Sequence, residues 1–182
     1  MATVTRYFSG GHRQPQGVSN VRQSLMPLAI QHLTSNDLSR MSALLTLFGE
    51  AFDEHETYNA KRPSDGYLRR LLSNETFIAL VALKNGEVVG GIAAYELQKF
   101  EQERSEIYIY DLAILEAHRR EGIATALIEK LKEIAATRGA WVIFVQADTG
   151  VEDEAAIALY SKLGKREDVL HFDIAVNPEI SK

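Results

Sequence analysis

Seven apolar residues stand in an unbroken row at Phe77-Ile78-Ala79-Leu80-Val81-Ala82-Leu83. A strand sends alternate side chains to opposite faces, so a row without a polar break has to be covered on both. Two residues on, Asn85-Gly86 provides the pair of positive-φ positions that a tight hairpin requires. The chain then returns through Val88-Val89-Gly90-Gly91-Ile92-Ala93-Ala94-Tyr95. These residues predict a central antiparallel hairpin enclosed by helical layers, and the rest of the fold must be built around it.

The flanking pattern supplies those layers. Leu28 to Leu33 reads as a short strand. Thr34, Ser35 and Asn36 offer cap residues before a helix with Leu38, Met41, Leu44, Leu45 and Phe48 at helical spacing. A second, short helix is expected from Asp65 through Tyr67, Leu68, Leu71 and Leu72. Glu106 to Ile114 reads as a strand. Gly122 to Thr137 reads as a helix with Ile123, Leu127, Leu131 and Ile134 on one side. Trp141 to Ala147 is expected as a buried strand, and Glu154 to Leu163 as a helix closed by Gly164. Leu170 to Val176 is expected as the last strand. The order is βααβββαβαβ, with room for one short strand near Lys165. Strands alternating with helices in the second half imply parallel pairing there. The sheet is therefore mixed, with helices on both faces: an α/β chain of α+β character.

The 182 residues suit one domain. Met1 to Ser24 differs from the rest, with Arg6, Arg13 and Arg22 and no acid. It lacks the apolar run of a secretory signal. It reads as a disordered leader or an appended non-native segment, with a transit peptide as the alternative, and the folded domain is expected over about 25–182. Those three arginines against a whole-chain charge of −5 leave −8 on the remainder. An acidic body argues against a nucleic-acid partner. No apolar run approaches the ~20 residues of a membrane-spanning helix. With Cys 0, no thiolate metal site and no cysteine nucleophile are available.

The segment with chemical content is Asp111-Leu112-Ala113-Ile114-Leu115-Glu116-Ala117-His118-Arg119-Arg120-Glu121-Gly122-Ile123-Ala124-Thr125. A strand ends, a short loop turns, and a helix opens at a glycine. The first amides of a helix lack intrahelical acceptors, and its dipole favours anions. Gly122 and Ala124 allow close approach, and Arg119 and Arg120 add charge, so the segment reads as a pyrophosphate cradle. Neither a P-loop nor a Gly-x-Gly-x-x-Gly fingerprint is present. The alternative is a helix start with solvated arginines.

Arg119-Arg120-Glu121-Gly122-Ile123-Ala124 resembles the acyl-CoA signature of the GNAT N-acetyltransferase superfamily, Gln/Arg-x-x-Gly-x-Gly/Ala. Ala156-Ile157-Ala158-Leu159-Tyr160-Ser161-Lys162-Leu163-Gly164 resembles its second motif. Phe100-Glu101-Gln102, Arg104 to Ala113, Val145-Gln146-Ala147-Asp148 and His171-Phe172-Asp173-Ile174 are similar to type I aminoglycoside 3-N-acetyltransferases, which confer gentamicin resistance in bacteria. The likeness covers about Ile30 to Ile174.

The resemblance implies a mostly antiparallel sheet splayed between two parallel strands, with acetyl-CoA in the gap. It places a bulge near Asp111 to Ala113 and gives the thioester to backbone groups of Leu112, Ala113 and Ile114. It gives the pyrophosphate to Arg119, Arg120, Gly122, Ile123, Ala124 and Thr125. Tyr160 would protonate the leaving thiol; its alternative is packing beside Ala156, Leu159 and Leu163. Asp111 would grip or deprotonate the acceptor amine. Alternation places it with Ile107 and Ile109; the alternative is a strand-end acid facing solvent. Acceptor contacts would come from Glu106, Tyr110, Asp148 and Asp153, with Glu152 and Glu154 behind them. Tyr58 and Glu56 fall in a region that helps line the acceptor side.

The implied activity is acetyl transfer to the 3-amino group of an aminoglycoside such as gentamicin, in the bacterial cytoplasm, by a homodimer. No metal, nucleic acid or membrane takes part. Another cationic acceptor, such as a polyamine or protein lysine, is the alternative within enzymes. A non-catalytic CoA sensor is the alternative outside them. Asp53-Glu54-His55-Glu56 lacks the second histidine of a zinc-binding helix, His118 reads as structural, and no Gly-x-Ser-x-Gly elbow exists.

Overall fold

The computed structural model describes residues 27–174 and 176. The leader Met1 to Ser24 lies outside the described residues. Strands β1 (Ala29–His32), β2 (Phe77–Lys84), β3 (Glu87–Gln98), β4 (Ser105–Ile114) and β5 (Ala140–Val145) form one sheet in chain order. The first three junctions are antiparallel, and β4 and β5 are parallel. Helices α1 (Leu38–Ala51) and α2 (Asp65–Leu72) cover one face, and α3 (Ile123–Arg138) covers the other, joined by α4 (Glu154–Leu163). This is the mixed α+β architecture the sequence implied.

The apolar row does what its composition requires. Ile78, Leu80 and Ala82 of β2 enter the core under α3, beside Leu127 and Leu131. Phe77, Ala79 and Val81 enter the core under α1 and α2, beside Leu44, Phe48 and Leu68. Asn85 and Gly86 make the turn with φ of 55° and 86°, as a type I′ turn needs. At Gly91 a Cβ would stand 2.7 Å from the Leu80 carbonyl oxygen and would also strike Leu44 of α1. A bare backbone there lets α1 lie close on β3.

Two expectations fail at the far edge. No strand forms over the described residues 164–174, neither at Lys165 nor from Leu170. Leu170, Phe172 and Ile174 are 83%, 75% and 89% exposed. Alternation marks a segment able to be a strand, but a strand also needs a ladder to join. β5 was expected to be buried, yet Trp141 and Val142 are exposed, because β5 is the last strand of the described sheet and has β4 on one side only. The Arg104 guanidinium stacks 4.7 Å above the Trp141 ring and shields part of it. Smaller differences are a π-helical turn at Glu56–Ala60 and single 3₁₀ turns at Glu116–His118 and Val151–Asp153.

Gly91→Val should destabilise the chain by about 1–3 kcal/mol through overpacking against unyielding backbone, measured by urea unfolding. An unchanged midpoint would mean that α1 does not press on β3.

Candidate active site

Site geometry starts from an irregularity in β4. Ala94 of β3 pairs with Ile109 and Ala93 with Asp111, so Tyr110 is an extra residue in the ladder. A bulge of this kind interrupts alternation. Ile107 and Ile109 lie in the core under α3, whereas Asp111 is opposite Ala93, which lies in the core under α1. The expectation that Asp111 shares the face of Ile107 and Ile109 is therefore corrected: the extra residue moves it to the other face. Tyr110 and Asp111 then point successive side chains to one side of the sheet.

The same stretch is where β4 and β5 part. Their last paired residues are Ile109 and Val145. β4 continues to Ile114, so the β5-facing edge of residues 110–114 has no ladder partner. Leu112, Ala113 and Ile114, expected to contact the thioester, line this opening with backbone groups that β5 does not use.

Asp111 meets an aromatic floor on the α1 and α2 side. Tyr58 Oη donates a hydrogen bond to Asp111 Oδ2 at 3.1 Å. Phe77, Tyr95, Tyr108 and Phe144 follow one another across four strands, and Tyr110 stands edge-on to both Tyr95 and Tyr108 at 5.8 Å. Burial pushes the Asp111 carboxyl above the usual carboxylate range; the Tyr58 hydrogen bond opposes this and the charge of Glu54 adds to it. Burial likewise raises the phenols of Tyr95 and Tyr108.

On the opposite face, α3 opens at Gly122, whose φ is +81°. The first helical bond runs from Ala126 N–H to the Gly122 carbonyl at 3.0 Å. The amides of Ile123, Ala124 and Thr125 thus have no acceptor within the helix. Open space surrounds the position a Gly122 Cβ would take, and Arg120 also has positive φ, 68°. Glu121, the acid next to Gly122, is neutralised by Lys84 at 2.8 Å, with His118 Nδ1 at 3.5 Å. Arg119 donates to the Ile114 carbonyl at 3.4 Å. Among the described residues neither Arg119 nor Arg120 is paired with an acid. Unused amides, two cations without acidic partners among the described residues and room for a phosphate fit the pyrophosphate of a coenzyme A.

Tyr160 packs from α4 against the core under α3, as do Ile143, Val145 and Ala124. Burial, with the nearby Asp153 charge, pushes its phenol up to about 12, so it stays protonated at neutral pH. Asp111 and Tyr160 thus flank the β4–β5 opening from opposite faces.

Of the other expected acceptor residues, Tyr110 stands in the aromatic floor and Asp153 lies near Tyr160, whereas Glu106 lies away from Asp111. Glu106 lies five residues before Asp111 along β4, but its β3 partner Leu97 is four residues from Ala93, so it is roughly 13 Å away at strand spacing, and it pairs with Lys99 at 3.4 Å. Asp153 accepts from the Asp148 amide at 2.7 Å and so ties the loop before α4. The Glu152 side chain is outside the described part. Glu56 pairs with Lys61 at 2.9 Å, and the His55 ring contacts Asn59. Tyr95 and Tyr108, absent from the expected site, were within reach of the sequence: Tyr108-x-Tyr110 alternates visibly along the strand. No helix of the described residues is long and apolar enough to cross a membrane. No group of three or more His, Asp or Glu placed to hold a metal occurs among them.

Residues 40–165 match the family model described as "Acetyltransferase (GNAT) family". A solved aminoglycoside acetyltransferase from an uncultured soil metagenomic sample is 67% identical, covering 84% of this chain and 100% of that one, with a TM-score of 0.82. A second from such a sample, solved in complex with sisomicin, is 32% identical over 82% of this chain and 97% of that one, at 0.76. An uncharacterized N-acetyltransferase of Methanocaldococcus jannaschii is 30% identical over 76% of this chain. The chain spans 37–60% of the length of the curated relatives it matches.

Two outcomes follow from this geometry. Gly122→Val forces a branched side chain into a left-handed position that costs about 1–2 kcal/mol, and affinity for coenzyme A should fall about tenfold by calorimetry. Asp111→Asn should leave stability at neutral pH equal or higher. The folded carboxyl pKa is raised, so its ionised form costs stability above that pKa and costs none in acid. Urea unfolding at pH 7.5 and pH 4 measures this, and a variant less stable only at pH 7.5 would reverse the sign.

Proposed function

The chain belongs to the acetyltransferase (GNAT) family, and we propose that it transfers an acetyl group from acetyl-CoA to the 3-amino group of an aminoglycoside such as gentamicin. The observation that carries this reading is the half-buried Asp111 set in a floor of tyrosines at the mouth of the β4–β5 opening. A polyamino sugar offers apolar ring faces to aromatic groups and ammonium groups to a carboxylate. The relatives described as aminoglycoside acetyltransferases support the same substrate class, and the acidic body helps draw a polycation to the cleft.

Acetyl-CoA supplies the acyl group as a thioester. The amides of Ile123, Ala124 and Thr125 with Arg119 and Arg120 hold its pyrophosphate, and the free edge of β4 at Leu112, Ala113 and Ile114 holds the arm. Asp111 grips the acceptor ammonium and takes its proton, directly or through water. The amine nitrogen then bonds to the carbonyl carbon. A backbone N–H of Leu112 or Ala113 donates to the oxygen that gains charge. As the C–S bond breaks, the nitrogen, cationic after bonding to carbon, releases its second proton to solvent, and the Tyr160 hydroxyl gives its proton to sulfur and recovers one from solvent. Acetylation removes a charge and a donor from the drug, which is how such an enzyme confers antibiotic resistance. We place the protein in the bacterial cytoplasm and as a homodimer; the uncovered β5 edge and the exposed Leu170, Phe172 and Ile174 support an assembly.

The test is thiol release from acetyl-CoA with gentamicin, kanamycin, spermidine and a histone peptide, followed by NMR of the product. Acetylated nitrogen at position 3 of the aminoglycoside is expected, and Tyr160→Phe should lower kcat about 10²-fold with the acetyl-CoA KM little changed. Release with spermidine or peptide alone would replace the substrate class. Binding of CoA without release for any amine would make the chain a sensor.

A further inference from the structure

Tyr58 is 53 residues from Asp111 in sequence, in a π-helical turn that no periodicity announces. Its ring is seated by two aromatic neighbours at the end of α1. Phe48 meets it edge-on at 5.9 Å, and Phe52 lies at the same distance. From that seat the hydroxyl reaches Asp111 Oδ2. The other carboxylate oxygen has no hydrogen-bond partner among the described residues.

We propose that Tyr58 is a positioning residue, whose hydroxyl fixes one oxygen of Asp111 and so presents the other to the acceptor amine. The proposal rests on Asp111 being the group that receives that amine.

The surroundings explain why such a donor is needed. The titratable groups facing Asp111 are Tyr58 from the π-helical turn, Glu54 from the end of α1, Tyr95 from β3, and Tyr108 and Tyr110 from its own strand. None of them is a cation. Burial and Glu54 both favour the protonated acid, which can neither grip an ammonium nor accept its proton. The Tyr58 hydroxyl is the only hydrogen-bond donor to the carboxylate among the described residues, and it acts in the opposite sense. Tyr58 cannot replace Asp111 as the base: burial and the adjacent carboxylate raise its own pKa far above neutral, so it remains a donor throughout the working range.

Tyr58→Phe removes the hydroxyl and keeps the ring between Phe48 and Phe52, so the fold is retained. The experiment is a carbon-detected NMR titration of the Asp111 side chain, run beside pH profiles of kcat/KM for gentamicin. In the variant the Asp111 titration should move to higher pH, and the acid limb of kcat/KM should move with it. The substrate's own titration is common to both proteins, so the difference between profiles belongs to the enzyme. Activity should be about tenfold lower on the acid side, the loss expected for one hydrogen bond to a charged group. It should return toward the wild-type value in alkali, with the acetyl-CoA KM unchanged and the unfolding midpoint lowered only above the Asp111 titration, where the carboxylate has lost its donor. Tyr58→Leu, which loses packing as well, should lower the midpoint and leave alkaline activity unrestored.

An unmoved Asp111 titration would overturn the proposal. So would a moved titration with superimposable rate profiles, which would reduce the contact to packing. Wild-type chain that acetylates no amine would overturn both this proposal and the reading beneath it, and is recognised by the absence of turnover before any substitution is made.

Discussion

Between Ile109 and Asp111, β4 takes one more residue than β3 opposite it, and the site is arranged around that mismatch. An extra residue in one strand adds local twist and cannot be shared with both neighbours. On the β3 side the ladder resumes with Ala93 and Asp111 as partners. On the β5 side pairing ends at Val145. One insertion therefore sets the face on which a carboxylate lies and frees a length of strand edge. Neither result needs an unusual residue; both need the count to be off by one.

Holding a carboxylate in such a place depends on its neighbours. Asp111 sits among phenols and one other acid, where burial raises its affinity for a proton. Across the sheet the charge logic is reversed. Of the two acids in the loop before α3, Glu121, beside the arginines, is occupied by Lys84, and among the described residues Arg119 and Arg120 are left without acidic partners. A cationic acceptor and an anionic coenzyme would each meet the potential they require on opposite sides of the β4–β5 opening.

What the sequence made legible follows from the range of the forces involved. The hairpin at Asn85-Gly86 and the helix start at Gly122 depend on backbone conformations that few residues adopt, so single letters announce them. The unbroken row of β2 announces two covered faces because nothing else would hide it. The face of Asp111 was misread because alternation assumes a regular ladder; the resemblance placed a bulge near Asp111 to Ala113, but that the extra residue is Tyr110, ahead of Asp111, shows only in the register with β3. Trp141 and Val142 look like core residues because an apolar run does not reveal whether a further strand will lie beside it. Tyr58 could be placed only in the region lining the acceptor side, because its partner is set by tertiary packing across 53 positions. Glu106, Asp148 and Asp153 were expected from the resemblance and from charge; in the structure Glu106 pairs with Lys99, and Asp153 accepts from the Asp148 amide.

The sheet also acts as a partition. Glu54, Tyr58, Tyr95 and Tyr110 stand on one side, and Arg119, Gly122, Ala124 and Tyr160 work from the other or from its rim. Residues separated by a packed layer couple weakly, so changes to them tend to add. If the proposed site holds, the acceptor wall could drift toward a differently shaped amine while the coenzyme wall stays fixed. Only β4 itself, which faces both compartments, is barred from that freedom.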